Sequence, residues 1–151
     1  MVILPLSIIF FCNDGFLKSI YLYFNLIGKY NNEQEVKELI DFINKESQKY
    51  LKLPAFIAVD EEGYISRLPF LNSIPQNQLK NEEEAYKEAY KRGNKLKQIG
   101  FNMIFAPVLD FSINNKDYIW KRTFQTDKEK TISLAKAMIN GFKHAKIIYV
   151  P

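Results

Sequence analysis

The segment Ala55-Phe56-Ile57-Ala58-Val59-Asp60-Glu61-Glu62-Gly63 decides the fold of this chain. Its first part is a short apolar run that follows Pro54 and ends abruptly in an acidic turn. Such a run predicts a strand that is buried on both faces, as strands of parallel sheets are. The acidic turn leaves Asp60 at the carboxyl end of this predicted strand.

Three helices are predicted around this strand. The first is amphipathic, because Val36, Leu39, Ile40 and Ile43 recur at the spacing of one helix face. An Asn, Thr or Asp stands at each start and can cap the helix, and Gly100 can terminate the second one. Two more apolar runs predict further strands. The helices span Glu33–Lys49, Glu82–Ile99 and Lys128–Phe142, and the further strands span Asn102–Ala106 and Lys146–Val150.

The order of these elements predicts the architecture. Strand, loop and helix repeat with a period of about 45 residues, which is typical of βα units around a parallel sheet. The long loops follow the strands, as in a (β/α)8 barrel, and no GxGxxG or GxxxxGK[ST] motif supports a nucleotide-binding sheet. Counting Ile20–Ile27 as the first strand gives four strands, against eight in a full barrel. We therefore predict an α/β fold, the first half of a (β/α)8 TIM-type barrel.

Composition narrows the function classes. Hydrophobic residues make up 47% and aromatic residues 15% of the 151 residues, which favours a packed core over disorder. The net charge is +4, and the basic residues are interspersed with acidic ones rather than clustered. This argues against nucleic-acid binding, which requires a basic patch. A single cysteine, Cys12, and a single histidine, His144, provide neither a disulfide framework nor a zinc cluster. We expect no metal and no cofactor.

The N-terminal segment, residues 1–31, is apolar, and its pattern assigns it no definite structure. Neither Val2–Phe11 nor Ile20–Ile27 reaches the roughly 18 residues of a membrane-spanning helix. No basic residue precedes the first run, as a signal peptide would require. We therefore expect a buried strand or helix here, and a cytoplasmic protein, with export as the alternative. Residues 32–151 form the predicted partial barrel domain.

Three polar residues follow the predicted strands. Asp60 and Asp110 end two of them, and Arg122 lies in the loop after the second. In a barrel, these positions meet at one pocket mouth. Asp60 could accept hydrogen bonds from sugar hydroxyls, and Arg122 could donate a rigid fork to oxygen atoms. The alternative is that each residue forms a loop-stabilising salt bridge or a helix cap.

Four ordered segments resemble glycoside hydrolase family 3, of the β-N-acetylhexosaminidase type. The first is AVDEEG at 58–63 with Arg67-Leu68, which resembles the signature AVDxEGG…RL, and the second is NMIFAPVLD at 102–110. The third, Arg122-Thr123-Phe124 with Asp127, resembles RSFGxDP. The fourth, Gly141-Phe142 with Lys146-Ile147-Ile148, resembles the helix and strand that precede the family's motif KHFPGHG. The resemblance covers residues 32–150.

This resemblance implies a retaining glycosidase that hydrolyses bonds of terminal N-acetylglucosamine, in peptidoglycan recycling or on chitooligosaccharides. It implies that Asp60, Arg67 and Arg122 bind the sugar, whereas Asp110 holds a loop. The family's nucleophilic aspartate and acid/base histidine follow the point that matches Val150. We therefore expect a truncated chain without catalytic residues that is inactive alone. His144 precedes the last strand and is not the family's motif histidine.

Other interpretations stay open. The chain could be a non-catalytic remnant that binds a sugar or a partner, or a fragment of a family 3 β-glucosidase. The strand Lys146–Val150 would expose an unpaired edge in a half barrel. We therefore expect marginal stability, or assembly with a complementing chain that supplies the missing half.

Overall fold

The computed structural model describes residues 29–151, together with two short strands at 6–8 and 23–26. The elements in chain order are β1 Leu6–Ile8, β2 Tyr23–Leu26, α1 Glu33–Leu51, β3 Phe56–Val59, α2 Glu82–Ile99, β4 Met103–Phe105, α3 Lys128–His144 and β5 Ile148–Val150. The predicted alternation of strands and helices is confirmed from β2 onwards. Cys12 and most of the run Val2–Phe11 lie outside the described residues.

The strands form one sheet in the order β1-β2-β3-β4-β5. The pairs from β2 to β5 are all parallel, as predicted for consecutive βα units. The strand predicted within Ile20–Ile27 is present as β2. In addition, β1 pairs with β2 in the antiparallel direction, an arrangement that the sequence did not indicate.

The caps that the sequence predicted are formed at all three helices. Asn32, Asn81 and Asp127 each accept a hydrogen bond from a backbone N–H of the first helical turn, which satisfies a donor without an intrahelical partner. Gly100 ends α2 with a φ of 118°, and its missing Cβ avoids Ile40, which a methyl group would approach to 2.6 Å. The helix boundaries are therefore encoded locally.

The helices cover one face of the sheet. Ile57 and Val59 of β3 and Ile104 of β4 are fully buried and belong to the same core cluster as helix residues. On the opposite face of β5, Ile148 and Val150 remain 44% and 39% exposed. A doubly wound sheet carries helices on both faces, whereas a barrel carries them outside only, so this asymmetry matches the predicted partial barrel.

The helices α2 and α3 pack against each other through small residues. A Cβ atom on Gly141 of α3 would lie 2.5 Å from the carbonyl oxygen of Tyr86 on α2. The glycine therefore permits a close approach of the two backbones. Within the described part of the chain, none of the helices has the length and apolar character needed to cross a bilayer.

Candidate functional site

The carboxyl end of β3 carries the first predicted site residue. Asp60 follows the last strand residue, Val59, and its side chain is 30% exposed. The Arg67 side chain lies beside it, with Nη2 at 4.0 Å from Oδ2 of Asp60. It is 33% exposed. The structure thus brings together two of the three predicted sugar-binding residues in a position that solvent reaches.

Glu61 explains how Arg67 comes to lie beside Asp60. Glu61 is fully buried, and its Oε2 accepts hydrogen bonds from the Ser66 hydroxyl at 3.1 Å, the Arg67 N–H at 3.0 Å and the Leu68 N–H at 3.1 Å. Burial raises the pKa of Glu61, and the hydrogen bonds from Ser66 and Leu68 oppose the rise. The carboxylate therefore closes the turn between 61 and 66 although Tyr64 replaces the family's second glycine.

Arg122 is held on the other side of the same acidic turn. Its Nε and Nη2 each donate a 2.7 Å hydrogen bond to a different carboxylate oxygen of Glu62. Glu62 is 5% exposed, whereas the Arg122 side chain is 27% exposed. The hydrogen bond to Glu62 raises the pKa of Arg122, and Asp110 contributes to the rise through its charge. Sequence reasoning named Arg122 but did not identify Glu62 as its partner.

A buried ion pair on α2 forms hydrogen bonds with the backbone of the loop that begins at Glu61. Arg92 and Glu88 have side chains that are 1% and 4% exposed, and their charged atoms are 3.0 Å apart. Arg92 donates to the carbonyl oxygens of Glu61 at 2.9 Å and Ile74 at 2.8 Å, while Glu88 accepts from the Ile74 N–H at 2.9 Å. Both ends of the loop from 61 to 74 are thereby fixed to α2.

The sequence contained a signal for this pair that was missed. Glu88 and Arg92 lie four residues apart on the helix face that also carries Ala85, Ala89 and Leu96, all of them buried. Charged residues on the apolar face of an amphipathic helix are rarely buried unless they are paired. Their position among core residues was therefore the available clue.

Gln76 connects the two loops that carry the predicted site residues. Its side-chain amide donates to the carbonyl oxygen of Val108 at 2.8 Å and accepts from the Val108 N–H at 3.1 Å. Gln76 is 1% exposed. The loop after β3 is thus joined to the loop after β4 by a buried pair of hydrogen bonds.

Asp110 and His144 occupy the places expected of them. Asp110 is exposed after β4, and its role in holding a loop remains a prediction. His144 is the last residue of α3, and its Nδ1 lies 2.9 Å from the Tyr86 hydroxyl. It therefore belongs to the end of α3 that leads into β5, as the sequence indicated.

One cavity lies apart from these residues. It has a volume of about 850 Å³ and is lined by residues of the loop 74–80 and of the first half of α2. Asp60, Arg67 and Arg122 do not line it, so this cavity is separate from the predicted sugar site. No group of three His, Cys, Asp or Glu side chains within the described ranges is placed to hold a metal ion.

Known proteins resemble most of this chain. A "Beta-hexosaminidase" of Psychromonas ingrahamii is 32% identical over 130 residues, which are 79% of this chain and 37% of that protein. A protein of the same name from Tolumonas auensis is 28% identical over 129 residues, again 37% of its length. The chain therefore spans little more than a third of these relatives.

Solved structures show the same partial correspondence. A family 3 glycosyl hydrolase of Mycobacterium smegmatis superposes with a TM-score of 0.72 at 27% identity, covering 84% of this chain and 40% of that one. NagZ from Neisseria gonorrhoeae, in complex with N-trifluoroacetyl-D-glucosamine, gives 0.68 at 26% identity, covering 77% and 37%. These likenesses confirm the partial barrel. Residues 16–150 match the family described as "Glycosyl hydrolase family 3 N terminal domain", and the chain belongs to this family.

Proposed function

We propose that this chain carries part of the sugar-binding site of a β-N-acetylhexosaminidase-type glycosidase that acts on terminal N-acetylglucosamine. The observation that carries the proposal is the placement of Asp60 and Arg67 together at the carboxyl end of β3. Ligand sites of βα barrels occur at this end of the strands. The names of the relatives, and the glucosamine derivative bound to the Neisseria protein, support the choice of sugar.

The proposed roles follow from chemistry. The Asp60 carboxylate accepts hydrogen bonds from sugar hydroxyls, and its partial exposure leaves lone pairs accessible. Arg67 and Arg122 donate to hydroxyl or carbonyl oxygens, because a guanidinium group offers several N–H donors in one plane. No described residue is assigned to bond cleavage, since the family resemblance places the nucleophile and the acid/base histidine after the matched segments.

Titration with N-acetylglucosamine, followed by amide NMR, tests the proposal. We expect the amide resonances of residues 58–68 and 120–124 to change their chemical shifts. The dissociation constant should be on the order of millimolar for one small sugar. Asp60→Ala should abolish these shifts, whereas Asp41→Ala on the exposed side of α1 should leave them unchanged. Absence of shifts in the wild-type chain would overturn the proposal.

Two comparisons separate the alternatives. Stronger shifts with glucose than with N-acetylglucosamine would favour a family 3 β-glucosidase. Release of nitrophenol from a chromogenic N-acetylglucosaminide by residues 1–151 alone would contradict the proposal that this chain binds without hydrolysing.

We also propose that a complementing segment covers the exposed side of β5. Ile148 and Val150 are apolar and more than a third exposed. Their strand lies at the edge of the sheet. Edge strands with exposed apolar side chains readily accept another strand. The test adds a separate chain that supplies the missing half of the barrel and measures hydrogen exchange of the Tyr149 amide. Slower exchange would support this proposal, and unchanged exchange would refute it.

A further inference from the structure

We propose that Glu62 is a positioning residue, which sets the orientation of the Arg122 guanidinium for sugar binding. This inference rests on the proposed function, in which Arg122 is a sugar ligand. It concerns a residue that does not itself touch the sugar.

The geometry of the pair fixes the arginine. Two N–H groups of Arg122 meet two oxygen atoms of Glu62, both at 2.7 Å. A pair of parallel hydrogen bonds prevents the guanidinium from turning about its own axis, which a single contact would permit. Of the five N–H donors on the group, two are used by this fork and three remain on the side away from Glu62.

Burial distinguishes the two partners. Glu62 has only 6% of its side chain exposed, against 27% for Arg122. The carboxylate is therefore the more enclosed member of the pair, and the arginine is the member that solvent reaches. A side chain so enclosed is placed to orient its neighbour rather than to bind a ligand.

Glu62 is itself held in place. Its backbone N–H donates to the carbonyl oxygen of Ile65 at 3.0 Å, and the preceding carbonyl, that of Glu61, accepts from Arg92 at 2.9 Å. The carboxylate thus projects from a turn that is fixed before any ligand arrives. Arg122 lies in a different loop, the one after β4. The ion pair therefore joins that loop to the turn after β3. Binding groups that are oriented in advance lose less entropy when they bind.

A double-mutant cycle tests this role. N-acetylglucosamine affinity is measured by NMR titration for the wild-type chain, Glu62→Gln, Arg122→Ala and the double variant, with thermal melting of each. We expect Glu62→Gln to weaken binding about tenfold, and to have no further effect in the Arg122→Ala background, because the two residues would act as a unit. Glu83→Gln is the matched control, since it removes the carboxylate of an exposed ion pair with Lys87 and should not change affinity.

The outcomes separate the two proposals. Unchanged affinity of Glu62→Gln, with weakened binding by Arg122→Ala, would overturn the positioning role and leave the proposed function standing. An equal effect of Glu62→Gln with and without Arg122 would also overturn it. Failure of the wild-type chain to bind would overturn both.

A second variant covers loss of folding. If Glu62→Gln does not fold, Arg122→Lys carries the test, because lysine keeps the charge but cannot form the two-bond fork. We expect Arg122→Lys to bind as weakly as Arg122→Ala. Full affinity of Arg122→Lys would show that the fork does not matter.

Discussion

Replacing Arg92 by methionine should destabilise the protein strongly, because it separates a buried ion pair. The Glu88 carboxylate, 4% exposed, would lose its ion-pair partner, with only the Ile74 N–H left as a donor. The carbonyl oxygens of Glu61 and Ile74 would lose the donors that now lie at 2.9 and 2.8 Å. Each change takes a hydrogen-bond or charge partner away from a buried polar group.

The magnitude follows from these losses. Removing one member of a buried ion pair costs about 3–5 kcal/mol, and each unpaired carbonyl adds up to about 1–3 kcal/mol, although such terms are not additive. We therefore expect a loss near 5 kcal/mol in the free energy of unfolding, comparable to the whole stability of a marginal domain. With a urea slope of about 2 kcal/mol per M, the midpoint would fall by roughly 2.5 M.

Urea unfolding of single and double variants is the assay. Adding Glu88→Gln to Arg92→Met removes the stranded charge but keeps an acceptor for the Ile74 N–H, so it should restore part of the midpoint. Lys87→Met, which breaks the exposed pair with Glu83, should leave the midpoint unchanged. Two results would refute the reasoning: a midpoint for Arg92→Met close to wild type, or a double variant no more stable than the single one. An Arg92→Met chain that is unfolded without urea but folds again with Glu88→Gln would support it.

Three further predictions concern other contacts. Burial raises the pKa of Glu61 above its ordinary 4.5, so its contribution to stability is present below about pH 4.5 and is lost as the pH rises through the folded pKa. Glu61→Gln should therefore gain stability relative to wild type as the pH rises from 4 to 7, and a constant difference in urea midpoint would contradict this. Gln76→Ala should cost about 1–3 kcal/mol in urea unfolding, because both backbone groups of Val108 lose their partner; no loss would show that these bonds are replaced. Gly141→Ala should cost about 1–3 kcal/mol through its clash with the Tyr86 carbonyl, and an unchanged melting temperature would disprove the close helix contact.

The helices and central strands could be predicted because their signals are local. The spacing of Val36, Ile40 and Ile43 determines which face of α1 is buried, and the capping residues lie next to the helices they start. The apolar run before Asp60 is short and bounded, so it could be predicted as β3. The antiparallel pairing of β1 with β2 was not predicted, because it joins residues such as Leu6 and Leu26 that are distant in sequence.

The site was predicted only as a set of residues. The sequence, through its resemblance to a family, named Asp60, Arg67 and Arg122, and their sugar-binding role stays a prediction. It did not reveal that Glu62 holds Arg122, although the acidic turn was evident. Nor did it distinguish the buried Glu88 from the exposed glutamates at the start of α2.

The sequence by itself determined the order of strands and helices, the residues at which the helices start, and the family. These depend on periodicity and on neighbouring residues, which are present in the chain before it folds. Only the tertiary structure decided how the charges pair, since Glu62 and Arg122 are 60 residues apart in sequence. Such pairs form when packed elements bring two loops together and exclude water from the carboxylate. The physical reason is that burial, which makes an ion pair specific, is a property of the assembled fold.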